Sequence, residues 1–274
     1  MAADPLTTAV DAGTPLVVLS PHLDDAVLSC GGLMSHAAGR TQVRVVTFFT
    51  EADAPPYTLS GRRYLRQVGR RDADRLYRER RAEDREVMER LGVDWHHLGL
   101  SDCLFRRKPG ASGGRNGWVS HVLPESSYIY PTYRLHIAAG RISPHDTYTL
   151  GRVRASLEQL ASPAHTVLLA PSGVGGHVDH VLVRTAAELS GRPVVYYSDF
   201  PYNQQHRPDL GFVERHALVE VEWSRQLAAK VELVRGYRSQ ADALFPNGAL
   251  PVVPEIYLFP DSARASYGPV GDAR

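Results

Sequence analysis

Short, mostly apolar runs, separated by charged and amphipathic stretches, leave this chain few folds to choose from. Leu16-Val17-Val18-Leu19, Val43 to Phe49 and Val167-Leu168-Leu169-Ala170 are brief and bounded by polar residues. Such runs suit strands covered on both faces, as in a parallel sheet. The residues between them read as helices. One runs from about Asp24 to Ala38 and stops at Gly39, and one from Asp72 to Leu91 is closed by Gly92. With a short strand over Val93 to Leu98, the order is β-α-β-α-β. That order predicts an α/β fold with a mostly parallel sheet and right-handed crossovers. The rhythm resumes with a helix over Thr147–Leu160 and the strand Val167–Ala170. A helix over His177–Leu189 and a strand over Pro193–Tyr197 follow. Then come an alternating edge strand over Ala217–Val221, a helix within Trp223–Ala243 and a last short strand over Ile256–Phe259. No repeat or linker divides the 274 residues, which are read as a single domain, 1–274. Residues 1–13 are expected to be a loose tail and Glu51–Gly69 a loop. Residues 103–146 are expected to form an irregular insertion on the substrate side. Its Tyr128, Tyr130 and Tyr133 either stack on a ligand or pack the insertion onto the sheet.

Charge and cysteine usage narrow the function classes. There are 31 basic and 30 acidic residues, a net charge of +1, and no electrostatic case for nucleic acid or an anionic membrane as partner. No run approaches the ~18 apolar residues of a membrane span, and Met1–Gly13 lacks the features of a signal peptide. Cys30 and Cys103 have neither disulfide-framework nor CxxC spacing. A cytoplasmic protein acting on a small molecule is the expectation, with the oligomeric state open.

Two stretches carry chemistry. His22-Leu23-Asp24-Asp25 follows the first apolar run, where a strand ends and a helix begins. Ligands of open α/β sheets bind at that edge. His22 and Asp25 are three residues apart across a turn, close enough for a nitrogen and an oxygen to share a metal ion, and Asp24 is left to handle a proton. Gly176-His177-Val178-Asp179-His180 follows the fourth strand and offers a third ligand. A His/Asp/His set suits zinc, which leaves a position for water and lowers its pKa from ~15.7 to about 7. Asp24 and His177 are the candidates for base and for stabiliser of the developing oxyanion. Taken singly, either stretch reads more readily as helix capping or a solvated histidine. Their matching positions after apolar strands favour one shared site.

His22-Leu23-Asp24-Asp25 and His177-Val178-Asp179-His180 resemble the paired signatures of the PIG-L/LmbE-like zinc de-N-acetylases. Arg80-Arg81-Ala82-Glu83, Leu98-Gly99-Leu100-Ser101-Asp102 and the stretch from Lys230 to Tyr237-Arg238-Ser239-Gln240 are similar to further family segments, in the same order. The resemblance implies a Rossmann-like three-layer sandwich without a nucleotide. It implies zinc held by His22, Asp25 and His180, with Asp24 as general base. His177 would stabilise the oxyanion, Asp179 would orient it or a neighbour, and Arg80 and Asp102 would hold sugar hydroxyls. Three departures stand out: Leu23 replaces the usual Pro, Ala26 the usual Glu, and Gly175 a Tyr found in many members. Orientation of the ligands must therefore come from elsewhere, and a carbonyl-polarising phenol must come from another position or be absent. The variant Pro21-His22-Leu23-Asp24-Asp25-Ala26 and the aromatic insertion resemble deacetylases of teicoplanin-type glycopeptide pseudoaglycones. The activity implied is hydrolysis of the acetamide on an N-acetylglucosaminyl unit of a glycosylated natural product. The rivals are a thiol-pathway deacetylase or conjugate amidase of the same family, and a non-catalytic sugar-binding module.

Overall fold

Continuous apolar strands need cover on both sides, and the tertiary structure supplies it. The computed structural model describes residues 4–110, 124–160, 166–245 and 247–261. Its strands are Leu16–Ser20 (β1), Val43–Glu51 (β2), Asp94–Ser101 (β3), Val167–Pro171 (β4), Val194–Tyr197 (β5), Leu218–Trp223 (β6) and Glu255–Pro260 (β7). They form one sheet in the order β3-β2-β1-β4-β5-β7-β6. The first five strands are parallel, while β7 runs antiparallel to both β5 and β6. β6 lies at the edge, and its half-buried alternation is the reason Ala217–Val221 reads as it does.

Side chains along each central strand point alternately to the two faces. Leu16 and Val18 of β1 join Val43 and Val45 of β2 and Val167 and Leu169 of β4 in one core. Val17, Leu19, Val46, Phe48, Leu168 and Ala170 join the other. The first core packs under the helices Pro5–Asp11 (α1), Asp25–Ala37 (α2) and Ala73–Leu91 (α4). The second packs under Thr147–Gln159 (α5) and Val178–Leu189 (α6). The expected α/β sandwich is thus present.

Three expectations need correction. The supposed loose tail contains α1, capped by Asp4, which accepts from the Leu6 and Thr7 amides. Leu6 and Val10 are buried in the first core, at about 1.5–3 kcal/mol each; two apolar residues in so short a segment left too little periodicity to read. The supposed loop over Glu51–Gly69 holds the helix Leu59–Gln67 (α3), capped by Thr58. The single helix within Trp223–Ala243 is two, Leu227–Val234 (α8) and Arg238–Leu244 (α9). The break falls at Gly236, where a Cβ would lie 2.4 Å from Val87 Cγ2, so α8 and α9 approach α4 at a point only glycine fits. A short helix, Leu210–Arg215 (α7), precedes β6.

The insertion divides. Residues 111–123 lie outside the described residues. Tyr128 and Tyr130 are buried; their hydroxyls donate to Pro56 O and Asp146 Oδ2. These two pack the insertion onto the body and are not free to stack on a ligand. Tyr133 remains 45% exposed, in a π-helical turn over Tyr133–Ile137.

Candidate active site

β1 lies between β2 and β4, so the chain winds outward from β1 to β3 and returns on the other side at β4. The gap between β1 and β4 is the switch point at which ligands of open α/β sheets bind. Leu16 to Val18 pair in register with Val167 to Leu169, and both motifs leave their strands at the same edge. That adjacency is what spacing alone did not establish.

The first motif is a rigid turn. Ser20 Oγ donates to His22 O at 2.7 Å and accepts from Ala26 N at 3.0 Å. The Asp25 carboxylate folds back to accept from the His22 amide at 2.8 Å. Asp24 occupies the N-cap of α2, yet its side chain makes no capping hydrogen bond. Its backbone sits at φ 152, ψ −30, a region that disfavours residues with a Cβ. Such strain, of order 1–3 kcal/mol, persists where the surroundings fix a side chain for another task. The capping explanation of Asp24 therefore fails.

Asp25 Oδ2 stands 3.1 Å from His22 Nδ1 and 3.3 Å from His180 Nε2. Ligand atoms around a tetrahedral zinc with bonds of ~2.0–2.1 Å lie roughly 3.3 Å apart, and both separations from Asp25 are close to that length. His22, His177 and His180 also bring ring nitrogens within 4.8 Å of one another. The electrostatics point the same way. Burial disfavours a charged His22, but hydrogen bonds to Asp179 and Asp25 and the Asp102 charge outweigh it and raise its pKa to about 9. Burial likewise opposes charge on Asp25, while the His180 and His22 rings hold its pKa well below the usual carboxylate range. The buried carboxylates thus favour positive charge on the His22 and His180 rings.

Asp24 is different. Burial, then the neighbouring Asp25 charge, raises its pKa to about 7, against the pull of Arg80, whose guanidinium is 3.9 Å away. A carboxylate poised near neutrality suits proton transfer. His177 occupies the N-cap position of α6, and its side chain makes no capping hydrogen bond. Burial and the two neighbouring histidines lower its pKa to about 3, which keeps the ring neutral. Its Nδ1 has no hydrogen-bond partner among the described residues, and Nε2 has only Cys103 Sγ at 3.9 Å.

The remaining expected residues are all nearby. Asp179 accepts from His22 Nε2 at 3.1 Å and from the Cys103 amide at 2.9 Å, and is held by Arg106. Its hydrogen bond runs to the neighbour, His22, and none is made with His177. Arg80 and Asp102 line the cavity, joined through Tyr77, whose hydroxyl donates to Asp102 at 2.5 Å and accepts from Arg80 at 3.3 Å.

Sequence reasoning missed three contributors, Asp199, Tyr202 and Arg106, and gave no role to a fourth, Gln240. Asp199, just past β5, accepts from His180 Nδ1 at 2.6 Å, from Ser172 Oγ and from the Val174 amide. It is a carboxylate of the kind that Ala26 fails to provide. An acid shortly after a strand is a detectable signal, shared with Asp102. Tyr202 packs directly on Gly175, where a Cβ would meet its ring at 3.0 Å, and lies edge-on to His180. Burial, then Tyr133, raises its pKa well above the usual phenol value, so the hydroxyl stays protonated and is able to donate a hydrogen bond. Arg106 clamps Asp179 and Asp146 in a buried cluster. Gln240 lines the cavity and donates to Leu23 O. The cavity over these groups measures about 800 Å³.

Residues 17–189 match the GlcNAc-PI de-N-acetylase (PIG-L) family. This chain belongs to the PIG-L family. The PIG-L chain is 29% identical over 247 residues to a 2'-N-acetylparomamine deacetylase of Streptomyces fradiae, covering 82% of this chain and 73% of that one. A second 2'-N-acetylparomamine deacetylase, from Niallia circulans, is 23% identical and covers 88% of each chain. Among solved structures, the zinc-inhibited form of the teicoplanin deacetylase Orf2 superposes with a TM-score of 0.64 at 24% identity, over 89% of this chain and 97% of that one. The A40926 pseudoaglycone deacetylase Dbv21 gives 0.64 at 21% identity, over 90% and 97%. The relatives are deacetylases of glycosylated antibiotic intermediates, and the LmbE-like α/β fold is shared. The enzyme class expected of this PIG-L chain, a hydrolytic de-N-acetylase, is that of the family. A buried His/Asp cluster able to hold a metal ion accompanies it, and no described helix is long and apolar enough to cross a membrane.

Proposed function

We propose that this PIG-L protein is a zinc-dependent deacetylase that removes the acetyl group from an N-acetylglucosaminyl unit of a glycosylated natural product. One observation carries the reading: His22, Asp25 and His180 converge at the β1/β4 switch point, while Asp24 stands beside them uncapped with a pKa near 7. His22, Asp25 and His180 would hold the zinc, which when bound acidifies water and draws charge from an acyl oxygen. Asp24 takes the proton of the attacking water. As the C–N bond breaks, the same carboxyl returns that proton to the leaving amine, giving acetate and a free amino sugar. Neutral His177 and the Tyr202 phenol donate hydrogen bonds to the oxyanion of the tetrahedral intermediate, the phenol standing in for the side chain absent at Gly175. Arg80 and Asp102 bind sugar hydroxyls, and Asp179 fixes the His22 ring. A cavity of about 800 Å³ has the size of pockets that bury drug-sized ligands, which favours a sugar on a larger acceptor, such as a glycopeptide pseudoaglycone, over a small thioglycoside.

Two variants test the assignment. Asp24→Ala is expected to retain zinc by elemental analysis and to lose about 10²–10⁴ in kcat. His180→Ala is expected to lose the metal. An Asp24→Ala protein as active as the parent would remove Asp24 from the role of base.

A further inference from the structure

The relatives act on acceptors of opposite character, and the cavity wall distinguishes between them. Its acidic residues, Asp24, Asp25 and Asp102, sit at the floor, engaged with His22, Arg80 and Tyr77. Its outer wall is cationic. Arg63 on α3 and Arg134 in the π-helical turn line the mouth, both exposed, and neither has an ion-pair partner among the described residues. Much of the remaining lining is apolar, beside the polar Ser60, Gln67 and Thr132. Val68, Leu104 and Leu244 contribute to it, and Leu135, beside Arg134, is 74% exposed. An open leucine next to an unpaired arginine leaves two unmet demands, for apolar cover and for negative charge.

We infer that the acceptor bearing the acetamido sugar is an apolar aglycone carrying a carboxylate, and that Arg63 and Arg134 select it against polycationic aminoglycosides. The inference rests on the deacetylase reading. A protonated amine brought to this mouth meets two like charges and no rim acid among the described residues. A carboxylate on an apolar body gains both the ion pair and the dry wall. Charge at a rim acts chiefly on encounter and discrimination, so it appears in kcat/KM ratios between acceptors and not in the chemical step.

The test compares acetate release from three compounds: a neutral biphenyl N-acetylglucosaminide, its carboxylated counterpart and 2'-N-acetylparomamine. The parent protein is expected to prefer carboxylated over neutral by about tenfold at low salt, and neutral over aminoglycoside by at least as much. In the double variant Arg63→Glu/Arg134→Glu, the carboxylated-to-neutral ratio should fall below one and the aminoglycoside-to-neutral ratio should rise. Ratios within one protein cancel any loss of folded material. A parent that prefers 2'-N-acetylparomamine to the neutral glycoside, or a variant with unchanged ratios, overturns the acceptor inference alone. Absence of acetate release from all three overturns the deacetylase reading and this inference with it.

Discussion

Asp199 offers the sharpest handle on how the fold supports the cation site. One carboxylate oxygen accepts from His180 Nδ1 at 2.6 Å; the other accepts from Ser172 Oγ at 3.0 Å and the Val174 amide at 2.9 Å. Asn at this position preserves the shape and changes two things. It removes the negative charge that makes the His180 ring a better ligand, and it leaves an NH2 group facing an amide that needs an acceptor. Partners of this kind are worth 10–100-fold in metal affinity, or ~1.4–2.7 kcal/mol. A buried amide left unpaired costs a further ~1–3 kcal/mol of stability. The two effects separate in two measurements: zinc affinity by chelator competition, and urea unfolding with the metal stripped. Asp199→Asn should weaken zinc binding by about 10–100-fold and lower metal-free stability by ~1–3 kcal/mol. A folded variant whose zinc affinity stays within about twofold of the parent would refute the claim that Asp199 orients His180, since the charge-assisted bond would then contribute nothing to the ligand.

Three other outcomes are expected. Tyr202→Phe should keep its zinc and lower kcat by about 10² with little change in KM, the cost of one oxyanion donor; an unchanged kcat would dismiss the phenol. Zinc affinity should rise with pH, because below about 9 His22 carries a proton that the cation must displace; competition titrations giving a flat affinity across roughly pH 6–8 would contradict this. Gly236→Ala should cost ~1–3 kcal/mol by urea unfolding, because its new methyl meets Val87 and forces α8 and α9 away from α4; parental stability would show that the break between α8 and α9 has another cause.

Much of the site was legible because its chemistry is local. His22, Asp24 and Asp25 lie on one turn, and His177, Asp179 and His180 on another, so their types and spacing already restrict what each can do. The parallel sheet was legible for a similar reason: strands buried on both faces are apolar throughout, and helix ends are marked by Gly39, Gly92 and Gly191. Where the local signal was short, as in α1 and α3, reading failed, because such helices are held by burial against distant elements more than by their own propensity.

The rest was decided by contacts between residues far apart in the chain. Only the pairing of β1 with β4 brings His180 to Asp25. Only the packing around Gly175 shows that Tyr202 fills the space of a missing side chain, and only the end of β5 reveals Asp199 behind His180. The sequence alone therefore marked the two turns whose groups could do the chemistry, but neither Tyr202 nor Asp199. The tertiary structure decided which of them meet and at what protonation, because burial and neighbouring charge, absent from any local pattern, set both.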